Sequence, residues 1–152
     1  RFLIFNPAPV RAQLNKTECS CINIITPNET EAEQLTGIKV NSVEQAFEAA
    51  KLLHNLGVAA VAITLGQNGV VYLDSERQIH QNAYPVTAID TTGAGDAFNG
   101  ALAVQIAREC NIADALHFAV AAASLSVTRK GAQQSMPTEA EVMQFLSEQG
   151  DK

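Results

Sequence analysis

The chain has 152 residues, of which 47% are hydrophobic, and this suits one globular domain with a substantial core. Its net charge is −6 and no cluster of Lys and Arg stands out, which excludes nucleic acids and anionic membranes as predicted partners. No apolar run approaches the roughly 20 residues that a membrane-spanning helix needs. Cys19, Cys21 and Cys110 fit neither a paired zinc motif nor a disulfide framework, so we expect reduced thiols in a cytoplasmic protein.

Short apolar runs alternate with helical patterns along the chain, which predicts an α/β fold with layers of strands and helices. The run over 58–65 is almost wholly apolar, as expected for a strand covered on both faces of a parallel sheet, and 70–73 predicts its pairing partner. Asn or Thr followed three residues later by Glu marks several helix starts. The predicted elements are strands over 1–5, 21–25, 58–65, 70–73 and 79–84, and helices over 28–37, 41–57, 94–108, 112–128 and 138–147.

Residues 90–101, DTTGAGDAFNGA, form the most informative stretch of the chain. Gly93 and Gly95 let the backbone approach a ligand closely, and the helix predicted to begin there exposes N–H groups that suit a phosphate. Asp96 lies in the same turn, although a carboxylate repels an anion. Its predicted task is therefore to accept a proton from an attacking hydroxyl or to help hold a metal.

Asn28 and Glu31 lie three residues apart at a predicted helix start, and two interpretations stay open. The pair forms an ordinary capping box, or Glu31 orders waters on a magnesium ion while Asn28 lies near phosphates. Asn28 is able to do both.

Residues 64–69, TLGQNG, follow the buried strand at its carboxyl end, where ligands bind in open α/β sheets. One interpretation is a plain hairpin turn. In the other, Gly66 and Gly69 let the backbone pass beneath a nucleotide, and Thr64 hydrogen-bonds a phosphate.

A looser set of polar residues flanks the end of the Ala-rich helix. Carbonyl oxygens freed at a helix end, with an Asp and a Ser, can hold a monovalent cation, but the residues alone favour a plain helix end with solvated Arg129 and Lys130. The histidines lack metal-ligand spacing, and no esterase elbow, P-loop lysine or Rossmann pattern is present, so those activities are excluded. The set comprises Asp90, Thr92, Ser126, Arg129, Gly131 and Ser135.

These residues together resemble the ribokinase family of carbohydrate kinases, and the likeness spans nearly the whole chain. The stretch over 90–101 is highly specific to that family. The resemblance implies a ribokinase-like layered fold and ATP-dependent phosphorylation of D-ribose at its 5-hydroxyl, with Mg²⁺ and activation by K⁺. The other segments that carry it are NPAP at 6–9, TPNETEAE at 26–33, ITLG at 63–66 and VTRKGA at 127–132.

The resemblance also implies roles for individual residues. Asp96 matches the catalytic base, which also contacts the sugar, and Glu31 matches a residue tied to magnesium through water. The anion hole, which stabilises the transferring phosphoryl group, corresponds to Gly93, Ala94 and Gly95. The nucleotide-binding positions are Asn28, Thr64, Leu65, Gly66, Gln67, Asn68, Gly69, Gly95 and Asp96. The potassium site corresponds to Asp90, Thr92, Ser126, Arg129, Gly131 and Ser135, several of them through backbone carbonyls.

Two departures from the family pattern qualify this expectation. Val120 stands where related enzymes often carry His or Asn beside the adenine, so the nucleotide preference stays open. The first strand is already in progress at Arg1, and we expect the family's amino-terminal half, with its sugar-binding loops and the lid used for dimerisation, to be missing. The chain would then be the carboxyl-terminal, ATP-binding part of a sugar kinase that is homodimeric when complete. The alternatives are a related kinase for another sugar or a nucleoside, and a nucleotide-binding module without catalytic activity.

Overall fold

The structure, a computed structural model, describes residues 2–10 and 13–150, which form two compact units that divide after Gln81. The elements of the first unit are β1 (Ile4–Phe5), α1 (Lys16–Cys19), β2 (Ile24–Ile25), α2 (Glu29–Thr36), α3 (Val43–Asn55), β3 (Ala60–Thr64), a 3₁₀ turn (Gly66–Asn68), β4 (Val70–Leu73) and β5 (Gln78–Gln81). Those of the second unit are α4 (Ala94–Ala107), α5 (Ile112–Ser126) and α6 (Glu139–Glu148).

The strands of the first unit form one sheet in the order β1-β2-β3-β4-β5. β1, β2 and β3 run parallel, β4 is antiparallel to β3, and β5 is antiparallel to β4, so β4 alone is reversed among them. The prediction of an α/β fold with a mostly parallel sheet is confirmed. β3 and β4 are buried along nearly their whole length, as their continuous apolar runs predict.

α3 packs on this sheet through an apolar stripe that repeats at the helical period. Ala46, Ala50 and Leu53 are buried and share one core with Val61 of β3 and Leu73 of β4. The small alanine side chains let the helix approach the strands closely. This packing fixes the carboxyl end of β3, from which the loop over 64–69 emerges.

The first two strands are shorter than predicted. Arg1 lies outside the described residues, and Phe2 and Leu3 are 55% and 43% exposed, so the buried strand predicted to begin there is wrong before Ile4. The N–H of Leu3 donates to the side-chain oxygen of Asn23 at 2.8 Å. This side-chain contact takes the place of a strand-to-strand bond, so regular pairing starts only one residue later.

Two helix starts differ from the predictions. α3 is capped by Ser42, whose Oγ accepts the N–H of Gln45 at 3.2 Å, while the N–H of Asn41 donates to the Gln45 side chain at 2.8 Å. The cap therefore lies one residue after the predicted Asn41. α1 was not predicted, although Asn15 and Glu18 form a complete capping box there, because four residues are too few to show a helical period.

In the second unit, α5 packs against both α4 and α6. α5 ends at Ser126 instead of Thr128, because both hydroxyl groups donate to carbonyls of its last turn, Ser126 to Ala123 at 2.8 Å and Thr128 to Leu125 at 2.7 Å. Within the described ranges, none of the helices combines the length and apolarity that crossing a bilayer requires. The core between α5 and α6 is built from Ala121, Ala122, Val142 and Leu146, with Tyr84, Phe118 and Phe145 packed against it.

Candidate active site

The start of α4 requires a glycine. Gly93 precedes the helix in the left-handed conformation, with φ at 82°. Residues other than glycine rarely adopt this conformation. A Cβ built there would lie 3.2 Å from the Cα of Ala132 and 3.2 Å from the Cε of Met136. Backbone geometry and packing therefore both disfavour a larger residue at this position. By contrast, a Cβ at Gly95 would meet nothing within 4 Å, so the first turn of the helix is open on that side.

The amino terminus of α4 is left without a side-chain cap. The other five helices of the described residues are each capped by an Asn, Ser or Thr side chain. At α4, the N–H of Ala94 donates to Thr91 O at 3.2 Å, and the N–H groups of Gly95 and Asp96 have no acceptor among the described residues. Unpaired N–H groups at the positive end of a helix dipole are suited to bind an anion such as phosphate.

Asp96 is the third residue of α4, and its side chain is exposed. It lines a cavity of about 230 Å³ whose other walls are mainly apolar and belong to α4, α5 and the start of α6. A carboxylate that is exposed beside open N–H groups is accessible to an incoming hydroxyl, as a general base must be. The other residues that line the cavity are Ala97, Gly100, Ala101, Val104, Phe118, Ala122, Met136, Pro137, Glu139 and Val142.

Asn99, in the second turn of α4, was not identified from the sequence as a functional residue. Its Nδ2 donates to the carbonyl of Gly95 at 2.9 Å, one turn earlier in α4. Its Oδ1 is buried and has no hydrogen-bond partner in the described part of the chain. An amide four residues from a glycine carries no distinctive spacing, so nothing in the sequence could have identified this contact.

Asp90 is the centre of a hydrogen-bonded loop before α4. Its Oδ1 accepts the N–H of Thr92 at 2.9 Å, and its Oδ2 accepts the N–H of Gly131 at 2.9 Å. The bond from Gly131, followed by those from Thr92, lowers the pKa of the Asp90 carboxyl to about 2, so the group is negatively charged at neutral pH. The structure thus brings together Asp90, Thr92 and Gly131, three of the residues predicted for the potassium site.

The other members of that set are held by local contacts. Ser126 and Ser135 are buried, and their hydroxyl groups donate to Ala123 O at 2.8 Å and Ala132 O at 2.9 Å. Arg129 donates from Nη2 to Glu141 Oε1 at 2.7 Å, so its guanidinium is ion-paired instead of solvated as the plain helix-end interpretation had it. Its carbonyl, the group through which a cation site would use it, is independent of this pair.

In the first unit, Asn28 and Glu31 form the capping box of α2. Asn28 Oδ1 accepts the N–H of Glu31 at 2.9 Å, and Glu31 Oε2 accepts the N–H of Asn28 at 2.9 Å. The capping interpretation is confirmed, and the helix ends at Gly37 as predicted, in the left-handed conformation. The roles of the two residues toward magnesium and phosphates stay predictions.

The loop over 64–69 lies beside the start of α2. Thr64 forms a parallel bridge with Asn28, through a bond from the N–H of Thr64 to Pro27 O at 3.0 Å. Gly66 and Gly69 both have positive φ angles, 52° and 84°, so the turn depends on their missing side chains. Leu65 and Gly69 are buried, and Gly66, Gln67 and Asn68 are exposed. The loop is a hairpin connection, as one interpretation predicted, and it lies next to the Asn28 cap.

No group of three or more His, Cys, Asp or Glu side chains that could hold a metal ion occurs among residues 2–10 and 13–150. Val120, the predicted departure near the adenine, is 4% exposed within α5.

Comparisons with known proteins agree with the resemblance. The model of the family described as "pfkB family carbohydrate kinase" matches residues 2–139. The ribokinase of Haemophilus influenzae is 44% identical over 144 residues, which are 95% of this chain and 47% of that protein. The deoxyribokinase of Salmonella typhi is 36% identical over 146 residues, again 95% of this chain and 47% of that protein.

Solved structures give the same result for the fold. The structure of Arabidopsis thaliana ribokinase complexed with ribose and ATP aligns with a TM-score of 0.89 at 37% identity, over 95% of this chain and 47% of that one. This chain spans about half the length of the curated relatives it matches. It has the ribokinase-like fold in the part that it covers, and it belongs to the pfkB family of carbohydrate kinases.

Proposed function

We propose that the protein carrying this chain is an ATP-dependent kinase that phosphorylates D-ribose at the 5-hydroxyl, and that the chain is its carboxyl-terminal, ATP-binding and catalytic part. The observation that carries the proposal is the uncapped start of α4, where two open N–H groups lie beside the exposed carboxylate of Asp96. The ribokinase relatives, one of them solved with ribose and ATP, support the choice of substrates.

The reaction transfers the terminal phosphoryl group of ATP to an alcohol. The sugar hydroxyl oxygen forms a bond to the γ-phosphorus while the bond from that phosphorus to ADP breaks. Asp96 accepts the proton that the hydroxyl loses, and ADP leaves with the electron pair of the broken bond. Of the anion hole that the resemblance implies, Gly95 keeps an open N–H group, whereas the N–H of Ala94 is bonded to Thr91 O. The N–H groups of Gly95 and Asp96 stabilise the negative charge on the transferring phosphoryl group.

Within the first unit, the start of α2 and the loop over 64–69 are the proposed contacts of the nucleotide. Gly66, Gln67 and Asn68 are exposed, and the loop lies beside the Asn28 cap. In the second unit, Gly95 and Asp96 are the proposed contacts of its phosphates. Val120 is buried in α5, at the position where the resemblance implies His or Asn beside the adenine, so the preference for adenine is tested separately, by comparing ATP with GTP.

The residues present fit the two implied cations. Asp90 is ionised and uses each oxygen for one backbone N–H, which leaves further lone pairs for a monovalent cation, together with carbonyls of the loop after α5. Glu31 uses Oε2 for its cap bond, and Oε1 has no partner among the described residues, which suits water-mediated contact with Mg²⁺. Bound Mg²⁺ would neutralise phosphate charge, and K⁺ would support the loop before α4.

The test is phosphoryl transfer by the protein that carries this chain. ATP affinity is measured by calorimetry, and ADP release is followed with D-ribose, 2-deoxy-D-ribose, D-fructose and a nucleoside as acceptors. We expect D-ribose to give the highest kcat/KM. Faster transfer to another acceptor would assign a different substrate within the family, and ATP binding without any transfer would identify a nucleotide-binding module. Sedimentation of the complete protein tests the proposed homodimer.

A further inference from the structure

Glu141 uses both of its carboxylate oxygens on the two ends of one segment. Its Oε2 accepts the N–H of Thr138 at 2.7 Å and the hydroxyl of Thr138 at 2.8 Å, which caps α6. Its Oε1 accepts from Nη2 of Arg129 at 2.7 Å, nine residues before Thr138. Residues 129–138, here called the clamped segment, are therefore held at both ends by a single side chain.

The clamped segment forms the support for the start of α4. Ala132 and Met136 are the residues that a Cβ at Gly93 would meet at 3.2 Å, so they pack directly against that glycine. Gly131 donates its N–H to Asp90, which fixes the loop that leads into the helix. Ser135 is fully buried and donates to Ala132 O at 2.9 Å, so the segment is also bonded within itself.

Capping alone does not explain this arrangement. The capping box of α1 also has a glutamate at its third helical position, with Glu18 Oε2 accepting the N–H of Asn15 at 2.9 Å. Among the described residues, Glu18 has no ion pair, whereas Glu141 has one with Arg129. The second oxygen of Glu141 thus makes a contact that the cap does not need, and it reaches the segment that touches Gly93 and Asp90.

We propose that Glu141 is a positioning residue for the phosphate-binding turn: by holding both ends of the clamped segment, it keeps Gly93 in its left-handed conformation and keeps the N–H groups of Gly95 and Asp96 aligned. The proposal rests on the proposed function, since it concerns how that turn binds the phosphates of ATP. A loosened segment would let the first turn of α4 fray, and ATP would then have to order it on binding.

The experiment compares Glu141→Gln with Arg129→Gln, and uses Glu18→Gln as the control that weakens a capping box without touching the clamped segment. Hydrogen exchange of the Gly131 amide is followed by NMR, and the dissociation constant for ATP is measured by calorimetry. We expect both variants of the pair to raise the Gly131 exchange rate at least tenfold. A mutation that misplaces a functional group by about 1 Å can lower a reaction rate about a hundredfold. We expect a smaller effect on binding, with ATP affinity falling roughly tenfold. Glu18→Gln should change neither quantity.

The double variant should be no worse than either single variant, because each one already breaks the same contact. Unchanged Gly131 exchange or unchanged ATP affinity in a folded Glu141→Gln protein would overturn the inference. If that variant does not fold, Arg129→Gln decides, since it removes the ion pair and keeps the cap. Sugar phosphorylation is assayed separately on the unsubstituted protein. Its absence would contradict the proposed function, while Gly131 exchange and ATP affinity still decide the role of Glu141.

Discussion

The N–H of Gly131 donates to Oδ2 of Asp90 across 2.9 Å and joins two residues that are 41 positions apart in the sequence. Asp90 lies in the loop before α4, and Gly131 lies in the loop after α5. Because the same carboxylate also accepts the N–H of Thr92, it fixes the geometry of both loops at once. A charge-assisted bond of this kind is stronger than one between neutral groups.

Replacing the proposed base should remove turnover and retain nucleotide binding. We expect Asp96→Asn to lower kcat by about 10²- to 10⁴-fold, since the amide cannot accept the hydroxyl proton, with little change in the dissociation constant for ATP. Steady-state kinetics and calorimetry measure the two quantities. Glu44→Gln, which changes an exposed acid in the first turn of α3, should leave both unchanged. A preserved kcat with weaker ATP binding would contradict the assignment of Asp96.

Two helix caps of the same composition separate capping from ligand binding. Asn28→Ala and Asn15→Ala each remove the Asn of a complete Asn–Glu capping box, so each should lower the free energy of unfolding by about 1 kcal/mol. Only Asn28→Ala should also weaken ATP binding. Urea unfolding and calorimetry test this pair. Equal effects of both variants on ATP affinity would show that Asn28 acts through stability alone.

Gly93, which precedes α4, and Gly100, which lies within it, should respond to alanine in opposite directions. Gly93→Ala forces a side chain into a left-handed conformation against Ala132 and Met136, so we expect a loss of about 1–3 kcal/mol in the free energy of unfolding. Gly100→Ala lies inside the helix, and its Cβ would meet nothing within 4 Å. It should raise the free energy of unfolding by about 0.5–1 kcal/mol. Urea denaturation gives both values, and a tolerated Gly93→Ala would contradict the packing at this turn.

Exchange of potassium for sodium should lower the kinase activity. The proposed site offers one ionised carboxylate and backbone carbonyls, and a cage of such oxygens that fits K⁺ is too wide for the smaller Na⁺. Initial rates in KCl and NaCl at equal ionic strength measure the preference. Asp90→Asn removes the charge and should abolish the difference between the two salts. Equal rates in the unsubstituted protein would rule out a potassium-selective site.

Acid should destabilise the second unit through two carboxylates. Hydrogen bonds hold the pKa of Asp90 at about 2 and that of Glu141 at about 2, below the ordinary values of 3.8 and 4.5. Because both pKa values are lowered by folding, the stabilisation is fully present above about pH 4.5 and is lost as the pH falls toward 2. Urea unfolding between pH 7 and pH 2 measures the decline.

The matched variant for this pH series is Asp90→Asn. It should be less stable than the unsubstituted protein at pH 7, and the difference should shrink as the pH approaches 2. A difference that is constant over the whole range would show that the charge of Asp90 does not contribute.

The sequence by itself determined the features that depend on a few adjacent residues. The capping box of Asn28 and Glu31, the helix end at Gly37 and the turn over 93–96 all follow from side chains that act within one helical turn, so their spacing predicted them. The family was also identifiable, because the stretch over 90–101 is contiguous. The pairing of β3 with β4 was also predicted, because two apolar runs are joined there by a tight turn.

Only the tertiary structure decided which distant groups meet. The bond between Asp90 and Gly131, the ion pair between Arg129 and Glu141, and the packing of Ala132 against Gly93 all join residues that no local spacing relates. The physical reason is that a helix cap is selected by the bonds of one turn, whereas these contacts form only when the whole unit has packed. The contacts that support the proposed phosphate-binding turn therefore depend on the tertiary structure, although the turn itself is predictable from the local sequence.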